Sequence, residues 1–313
     1  MGFRKVMIKV GIIGSGNWAL ALTKILTNVN IVVKARKLEG LKKKFDKNNK
    51  EISLTTNFKD LSDCKFLFLA SPSQTVRGNL KKIPQKINSK FVICCKGVEK
   101  GSNKLMHQVL KELFPKNGFA VLSGPNFAAE VIKGLPTASV LSSKSNKILD
   151  EVSSIISSKK FRTYFNNDII GTQIGGAMKN VIAIASGVII GSNLGQNAGA
   201  AIITRGLSEI IDLGTQMGAK KSTFYGLSGI GDLTLTCSSL KSRNTKLGYL
   251  LAKGKSKTNQ LFEGLESCES ICKLGDKFSL ELPICNAVKR ILNGSDINKI
   301  VTNLLSRPLQ FEK

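Results

Sequence analysis

The sequence holds one histidine, His107, in 313 residues. No Ser/His/Asp triad and no histidine-based metal site can be assembled from that. Proton chemistry therefore falls to Lys, Asp, Glu, Tyr or Cys. Three segments place such residues in suggestive company. In Gly175-Gly176-Ala177-Met178-Lys179-Asn180, small residues precede a lysine and would let a flat ring and a small substrate come close. Desolvation and neighbouring cations can lower a lysine's pKa into the range of acid–base work; Lys96 and Arg243 are candidates for those neighbours. In Gly229-Ile230-Gly231-Asp232 a carboxylate sits in a glycine turn, where it could accept a substrate hydroxyl or orient Lys179. Ser242-Arg243-Asn244 leads into a helical stretch beginning near Thr245. Ser242 is an N-cap candidate there, with free backbone N–H groups for an anion, and Arg243 can add a bidentate grip on a phosphate. Taken one at a time, Lys179 reads equally as a surface lysine and Asp232 as a turn residue.

A fourth segment would bind rather than react. Val10-Gly11-Ile12-Ile13 runs into Gly14-Ser15-Gly16-Asn17-Trp18-Ala19 and then Leu20-Ala21-Leu22, an apolar strand, a glycine turn and a helix start. The spacing G-x-G-x-x-A is an allowed form of the dinucleotide fingerprint. Gly14 permits the tight turn, Gly16 lets the backbone approach a pyrophosphate, and Ala19 keeps helix and strand close. The motif alone is weak, since a glycine turn with no ligand reads the same way. A second strand at the βαβ distance strengthens it. That strand ends Lys34-Ala35-Arg36-Lys37, with no carboxylate until Glu39. A carboxylate near this place holds the ribose hydroxyls of NAD, whereas a guanidinium accommodates a 2′-phosphate. Arg36, with Lys37, therefore favours NADP, NAD remaining an option; the alternative is a pair of solvated strand-end charges.

The elements that must position these groups change character along the chain. Strands are expected at Met7–Ile13, Ile31–Ala35, Lys65–Ala70, Phe91–Cys95, Phe119–Leu122, Thr137–Leu141 and Phe161–Phe165, with helices at Trp18–Thr27 and Leu38–Asn48. Nearly unbroken apolar runs such as Phe66-Leu67-Phe68-Leu69 fit buried parallel strands. From about Asp168 the apolar spacing becomes three and four. Helical stretches are then expected at Thr172–Ser192, Asn197–Met217, Thr245–Lys253, Gly264–Leu274, Cys285–Asn293 and Ile297–Leu305. The expected fold is α/β: a doubly wound, Rossmann-type sheet domain over 1–168 and an all-helical substrate and catalytic domain over 169–313.

Composition narrows the partners. At 42% hydrophobic and 22% charged residues the chain can bury two cores. The net charge of +26 raises nucleic acid as a partner. The lysines are scattered, apart from Lys42, Lys43, Lys44, Lys47 and Lys50, and no nucleic-acid module is present. A lysine-rich surface that draws in an anionic cofactor and substrate is the preferred reading. The seven cysteines show no metal-type pairing and read as reduced, small hydrophobes, so no metal site is expected. The run Val181–Ile190 is too short to span a bilayer and the first residues lack a signal-length apolar run, so no integral membrane segment and a cytoplasmic location are expected. A homodimer is compatible with the sequence.

In order, Gly14-Ser15-Gly16-Asn17-Trp18, Lys96-Gly97-Val98-Glu99, Ser123-Gly124-Pro125-Asn126-Phe127-Ala128-Ala129-Glu130, Gly175 to Val181, Gly229 to Leu233 with Thr236-Cys237 and Ser242-Arg243-Asn244, and Glu263-Gly264 form one set. With Ile203-Thr204-Arg205-Gly206-Leu207, it resembles the bacterial NAD(P)-dependent glycerol-3-phosphate dehydrogenases over almost the whole chain. The resemblance implies reversible interconversion of dihydroxyacetone phosphate and sn-glycerol 3-phosphate, supplying glycerol 3-phosphate for phospholipid. It implies Lys179 as the proton donor and acceptor. Lys96, Gly124, Asn126, Asp232, Ser242, Arg243 and Asn244 are implied as substrate contacts. Asn17, Trp18, Arg36, Lys96, Ala128, Arg243, Leu261 and Glu263 are implied as cofactor contacts. Four positions depart from the family pattern: Ala19 for the third glycine, Asn126 for Ser or Thr, and Leu261-Phe262 for a Val-Val pair. Two other readings share part of the pattern. A β-hydroxyacid-type dehydrogenase would take a carboxylate in place of a phosphate, and a non-catalytic NADP-binding sensor would tolerate change at Lys179.

Overall fold

The computed structural model describes residues 7–45, 52–255 and 261–306. Two compact units emerge. One comprises the chain up to Cys95 together with Met106–Ile169; the other comprises Lys96–Leu105 together with the chain from Ile170 onwards. The second unit therefore includes a ten-residue segment from the first half of the sequence, which a single cut at 168/169 does not express.

The first unit is a sheet with helices on both faces. Its strands are β1 (Ile8–Ile13), β2 (Val29–Lys34), β3 (Ile52–Thr55), β4 (Phe66–Leu69), β5 (Lys90–Ile93), β6 (Phe119–Ser123), β7 (Thr137–Ser142) and β8 (Phe161–Asn166). They lie in the order β3-β2-β1-β4-β5-β6-β7-β8. All neighbours are parallel except β6 and β7, so the sheet is mixed rather than wholly parallel. Its helices are α1 (Asn17–Ile25), α2 (Leu41–Phe45), α3 (Val76–Leu80), α4 (Met106–Leu113), α5 (Ala128–Ile132) and α6 (Asn146–Ile156). Alternation within each strand feeds two cores. Phe66 and Phe68 join Val10, Ile12 and Leu22 on one face; Leu67 and Leu69 join Leu80, Met106 and Leu110 on the other. Burial on both faces is why these strands read as continuous apolar runs.

β1 lies between β2 and β4, where the strand order reverses, and the glycine turn follows it there. Ligands bind at such a switch point in open α/β sheets. Gly14 has φ +127°, and a Cβ on it would stand 2.7 Å from the Ala70 carbonyl oxygen, so only glycine fits this turn.

The second unit is helical: α7 (Ile169–Gly191), α8 (Gly195–Gln216), α9 (Lys221–Phe224), α10 (Asp232–Cys237), α11 (Arg243–Ala252), α12 (Glu263–Lys277), α13 (Pro283–Leu292) and α14 (Ile297–Leu305). α7 is buried around its whole circumference from Gly171 to Ile189 and is the axis on which the rest pack. It is long and apolar enough to cross a bilayer by length and composition, longer than the Val181–Ile190 run that the sequence marks out; 94% of its most apolar window is buried within the fold.

Some elements differ from expectation. β3, α3, α4, α5, α6, α9 and α10 are not among the elements expected from the sequence. The expected helix Leu38–Asn48 is observed as Leu41–Phe45; residues 38–40 precede it outside the helix, and 46–48, like Lys50, lie outside the described residues. Asp232 is not in a turn but is the first residue of α10.

Candidate active site

In the second unit one carboxylate joins two lysines. Lys179 lies on α7, and its Nζ donates to Asp232 Oδ1 at 2.6 Å and to Thr236 Oγ1 at 2.7 Å. Lys96, at the start of the 96–105 segment, donates to the other oxygen, Asp232 Oδ2, at 2.5 Å. Asp232 is fully buried and Lys179 is 7% exposed. Thr236 follows Asp232 by one helical turn on α10 and returns its own hydroxyl to the Asp232 carbonyl at 2.6 Å. Its oxygen is thereby turned towards Lys179 as an acceptor. An ammonium carries three donors, and two on Lys179 are committed to Asp232 and Thr236.

The backbone makes this approach close. A Cβ on Gly175 would stand 2.4 Å from the Ser228 carbonyl oxygen, in the turn immediately before α10. Gly175 is thus required for α7 to pack against the segment that leads into α10. Burial and the neighbouring Lys179 charge push Lys96 down to about 8, against the upward pull of Asp232. Burial pushes the Cys237 thiol, at the end of α10, up to about 12.

The Ser242-Arg243-Asn244 corner adjoins through a hydrogen-bonded chain. Ser242 Oγ caps α11 by accepting from the Thr245 N–H at 3.3 Å, and Thr245 Oγ1 donates to the Thr236 carbonyl at 2.7 Å. The N–H groups of Arg243 and Asn244 have no acceptor among the described residues. Asn244 Nδ2 donates to Asn180 Oδ1 at 3.0 Å, while its Oδ1 accepts the Gly264 N–H at 3.1 Å. Asn180 Nδ2 lies 3.3 Å from the Gly176 carbonyl and 3.5 Å from that of Lys96. Arg243 is exposed, and its Nη1 donates to the carbonyl of the exposed Leu261 at 3.5 Å; Glu263 begins α12 half-buried.

The dinucleotide-type residues lie in the first unit. Ser15, Gly16 and Asn17 lead into α1, and a Cβ on Gly16 would meet nothing within 4 Å, which leaves its backbone open to a ligand. Trp18 packs on the core beside α5, with its Nε1 buried and unpartnered. Arg36 and Lys37 are exposed beyond the end of β2. Gly124 has φ +133°. The Asn126 amide lies 2.9 Å from Ser139 Oγ on β7, so its hydrogen-bonding capacity is already partly spent within the fold. Ala128 begins α5.

Residues 9–149 match the family signature "NAD-dependent glycerol-3-phosphate dehydrogenase N-terminus", and residues 168–302 match the corresponding C-terminus. The chain belongs to the NAD-dependent glycerol-3-phosphate dehydrogenase family. It is 37% identical to the glycerol-3-phosphate dehydrogenase [NAD(P)+] of Parvibaculum lavamentivorans, covering 97% of this chain and 98% of that one. A similar protein of the same name from Caulobacter vibrioides is 38% identical, again over 97% and 98%. The crystal structure of glycerol-3-phosphate dehydrogenase from Coxiella burnetii superposes with a TM-score of 0.88 at 31% identity, covering 96% of this chain and 99% of that one. D-mandelate dehydrogenase, at 11% identity and TM-score 0.63, shares the fold alone.

Within this family frame, three participants escape the sequence reading. Thr236 and Asn180 both lie inside quoted motifs, and the signal for Thr236 is its i+4 spacing from Asp232. Lys44, on α2, donates to the Ser15 carbonyl in the glycine turn at 2.9 Å; nothing in its lysine-rich surroundings singles it out.

Proposed function

We propose that this chain interconverts dihydroxyacetone phosphate and sn-glycerol 3-phosphate with NAD(P)H, and that Lys179 holds the transferred proton. The observation that carries this reading is the buried Asp232 carboxylate with Lys179 on one oxygen and Lys96 on the other. Gly14, the open backbone at Gly16, and Arg36 and Lys37 fit a dinucleotide in the first unit. When bound, that dinucleotide supplies the hydride. Lys179 Nζ delivers a proton to the substrate carbonyl oxygen and recovers it in reverse. Asp232 balances the ammonium charge and fixes its direction, and Thr236 takes a second Lys179 proton out of play. Lys96 adds positive charge for an anionic substrate. The capped start of α11 offers two N–H groups and the Arg243 guanidinium to the phosphate. By the family resemblance, Gly124 and Asn126 are substrate contacts, and Asn17, Trp18, Ala128, Leu261 and Glu263 are cofactor contacts.

The domain roles follow: 1–168 binds the dinucleotide, and 169–313, with Lys96–Leu105, binds and protonates the substrate. Arg36 and Lys37 favour NADP over NAD. On this reading the enzyme supplies phospholipid synthesis from the cytoplasm, and a homodimer is its expected assembly.

The test is an absorbance assay at the nicotinamide band, with NADPH or NADH against dihydroxyacetone phosphate or dihydroxyacetone. Fast oxidation with the phosphorylated ketone only is the expected result. Equal rates with both ketones, or none with either, overturns the reading.

A further inference from the structure

Lys34 is the last residue of β2, and its carbonyl accepts the Gly14 N–H at 3.0 Å, so it is bonded directly to the glycine turn. It stands twenty residues beyond Gly14, the distance at which NAD-binding folds place the carboxylate that holds the ribose hydroxyls. A cation in that place reverses the sign of the selection. The Lys34 residue is only 8% exposed, yet no carboxylate lies within ion-pair distance of it among the described residues. Its Nζ sits over the Phe58 ring, 3.9 Å from the centroid. Asp60, on the same short turn as Phe58, accepts from Thr55 Oγ1 instead. Burial lowers its pKa, and among the described residues the charges that add to this are those of Lys82 and Arg36, both cationic. A buried lysine facing only like charges is costly unless an anion completes the group.

We propose that Lys34 is a specificity-determining residue for the cofactor, a buried third cation at the carboxyl end of β2 that, with Arg36, seats the 2′-phosphate of the adenosine ribose. This rests on the NADP reading above and extends it to a residue inside the fold. An exposed arginine can swing away from a ligand that lacks the phosphate. Lys34, held against Phe58, has no carboxylate partner among the described residues, so the preference is built into the strand end. The Phe58 face partly compensates the charge when no ligand is bound.

The test is calorimetric titration of the full chain with adenosine 2′,5′-bisphosphate and with 5′-AMP, which needs no turnover. Lys34→Met fills the same space over Phe58 without charge. It should weaken the bisphosphate about tenfold, as expected for losing one contact to a charged group, and leave 5′-AMP within about twofold. Lys34→Arg should retain the discrimination, which a merely space-filling role does not predict. Should the methionine variant fail to fold, Lys34→Gln is read in the same way. Equal loss for both ligands, or no loss for either, overturns the proposal while a wild-type preference for the bisphosphate leaves the NADP reading standing. If the wild type binds both equally, the NADP reading falls and this inference with it.

Discussion

Replacing Asp232 by Asn keeps the shape of the group that Lys179 and Lys96 share and removes its charge. Two ammonium groups then face one neutral amide in a buried setting. Breaking a buried ion pair from one side costs about 3–5 kcal/mol. The fold can relieve part of this by releasing a proton from one lysine. Releasing the proton of Lys96, which burial already holds at about 8, costs only about 1.4 kcal/mol at pH 7, at about 1.36 kcal/mol per pH unit, but it leaves Lys179 facing the neutral amide. Asp232→Asn should therefore destabilise the helical unit by about 3–5 kcal/mol at pH 7. The pH dependence gives the sharper test. Burial already holds Lys96 below its unfolded value, and removing Asp232 takes away the influence that raises it. Between the folded and unfolded values the unfolded chain binds more protons, so stability rises with pH across that window. In the variant the window opens at lower pH, so its deficit against wild type should be largest near pH 7 and narrow towards pH 10. Urea unfolding followed by far-ultraviolet circular dichroism measures this; tryptophan fluorescence does not, since the one tryptophan, Trp18, lies in the other unit. A variant within about 0.5 kcal/mol of wild type at pH 7, or a deficit unchanged from pH 7 to pH 10, would refute the shared-carboxylate account.

Lys179→Met should keep the fold and NADPH binding and lower kcat by roughly 10²–10⁴-fold; a wild-type kcat moves the acid elsewhere, first to Lys96. Arg243→Leu should lower kcat/KM for dihydroxyacetone phosphate at least about tenfold, a contact to a charged group contributing about 1.5–3 kcal/mol. The much poorer substrate dihydroxyacetone should lose far less, and equal losses would place the phosphate elsewhere. Because Lys96 is charged only below about 8, kcat/KM should fall along an alkaline limb near that pH, and Lys96→Arg should move the limb upward; a limb unmoved in the variant belongs to another group. Arg36→Asp should reverse the ratio of kcat/KM for NADPH over NADH, and an unchanged ratio removes Arg36 from cofactor choice.

The sequence carried the sheet unit well where strands are buried on both faces, as at Phe66–Leu69 and Phe91–Ile93, because apolar runs of that length have few other homes. It missed β3, an edge strand of four residues with no fully buried side chain. It also missed the antiparallel entry of β7, since strand direction is set by the connection through α5 and not by the strand's own residues. At the site, Lys179, Asp232 and Lys96 were legible as motif members. That Asp232 could orient Lys179 was legible too; that Lys96 shares the same carboxylate was not, because Lys96 and Asp232 are 136 residues apart. Gly175 has a packing role that the sequence did not show: its missing side chain makes room for the Ser228 carbonyl.

The Lys96–Leu105 segment has a consequence for how the catalytic unit comes into being. Besides Lys96, it bonds to α12 through the Val98 N–H to Ser267 Oγ at 3.1 Å and through Ser270 Oγ to the Glu99 carbonyl at 3.1 Å, across 169 and 171 residues. Contacts so distant in sequence close large loops and form late in folding. During synthesis the segment emerges long before α12 exists to receive it. A fragment beginning at Ile170 would carry Lys179, Asp232 and Thr236 in the right helices and still leave one carboxylate oxygen without its lysine and two α12 serines without their partners. Supplying 96–105 as a separate peptide should then raise the fragment's stability, and the order of assembly would be open to direct measurement.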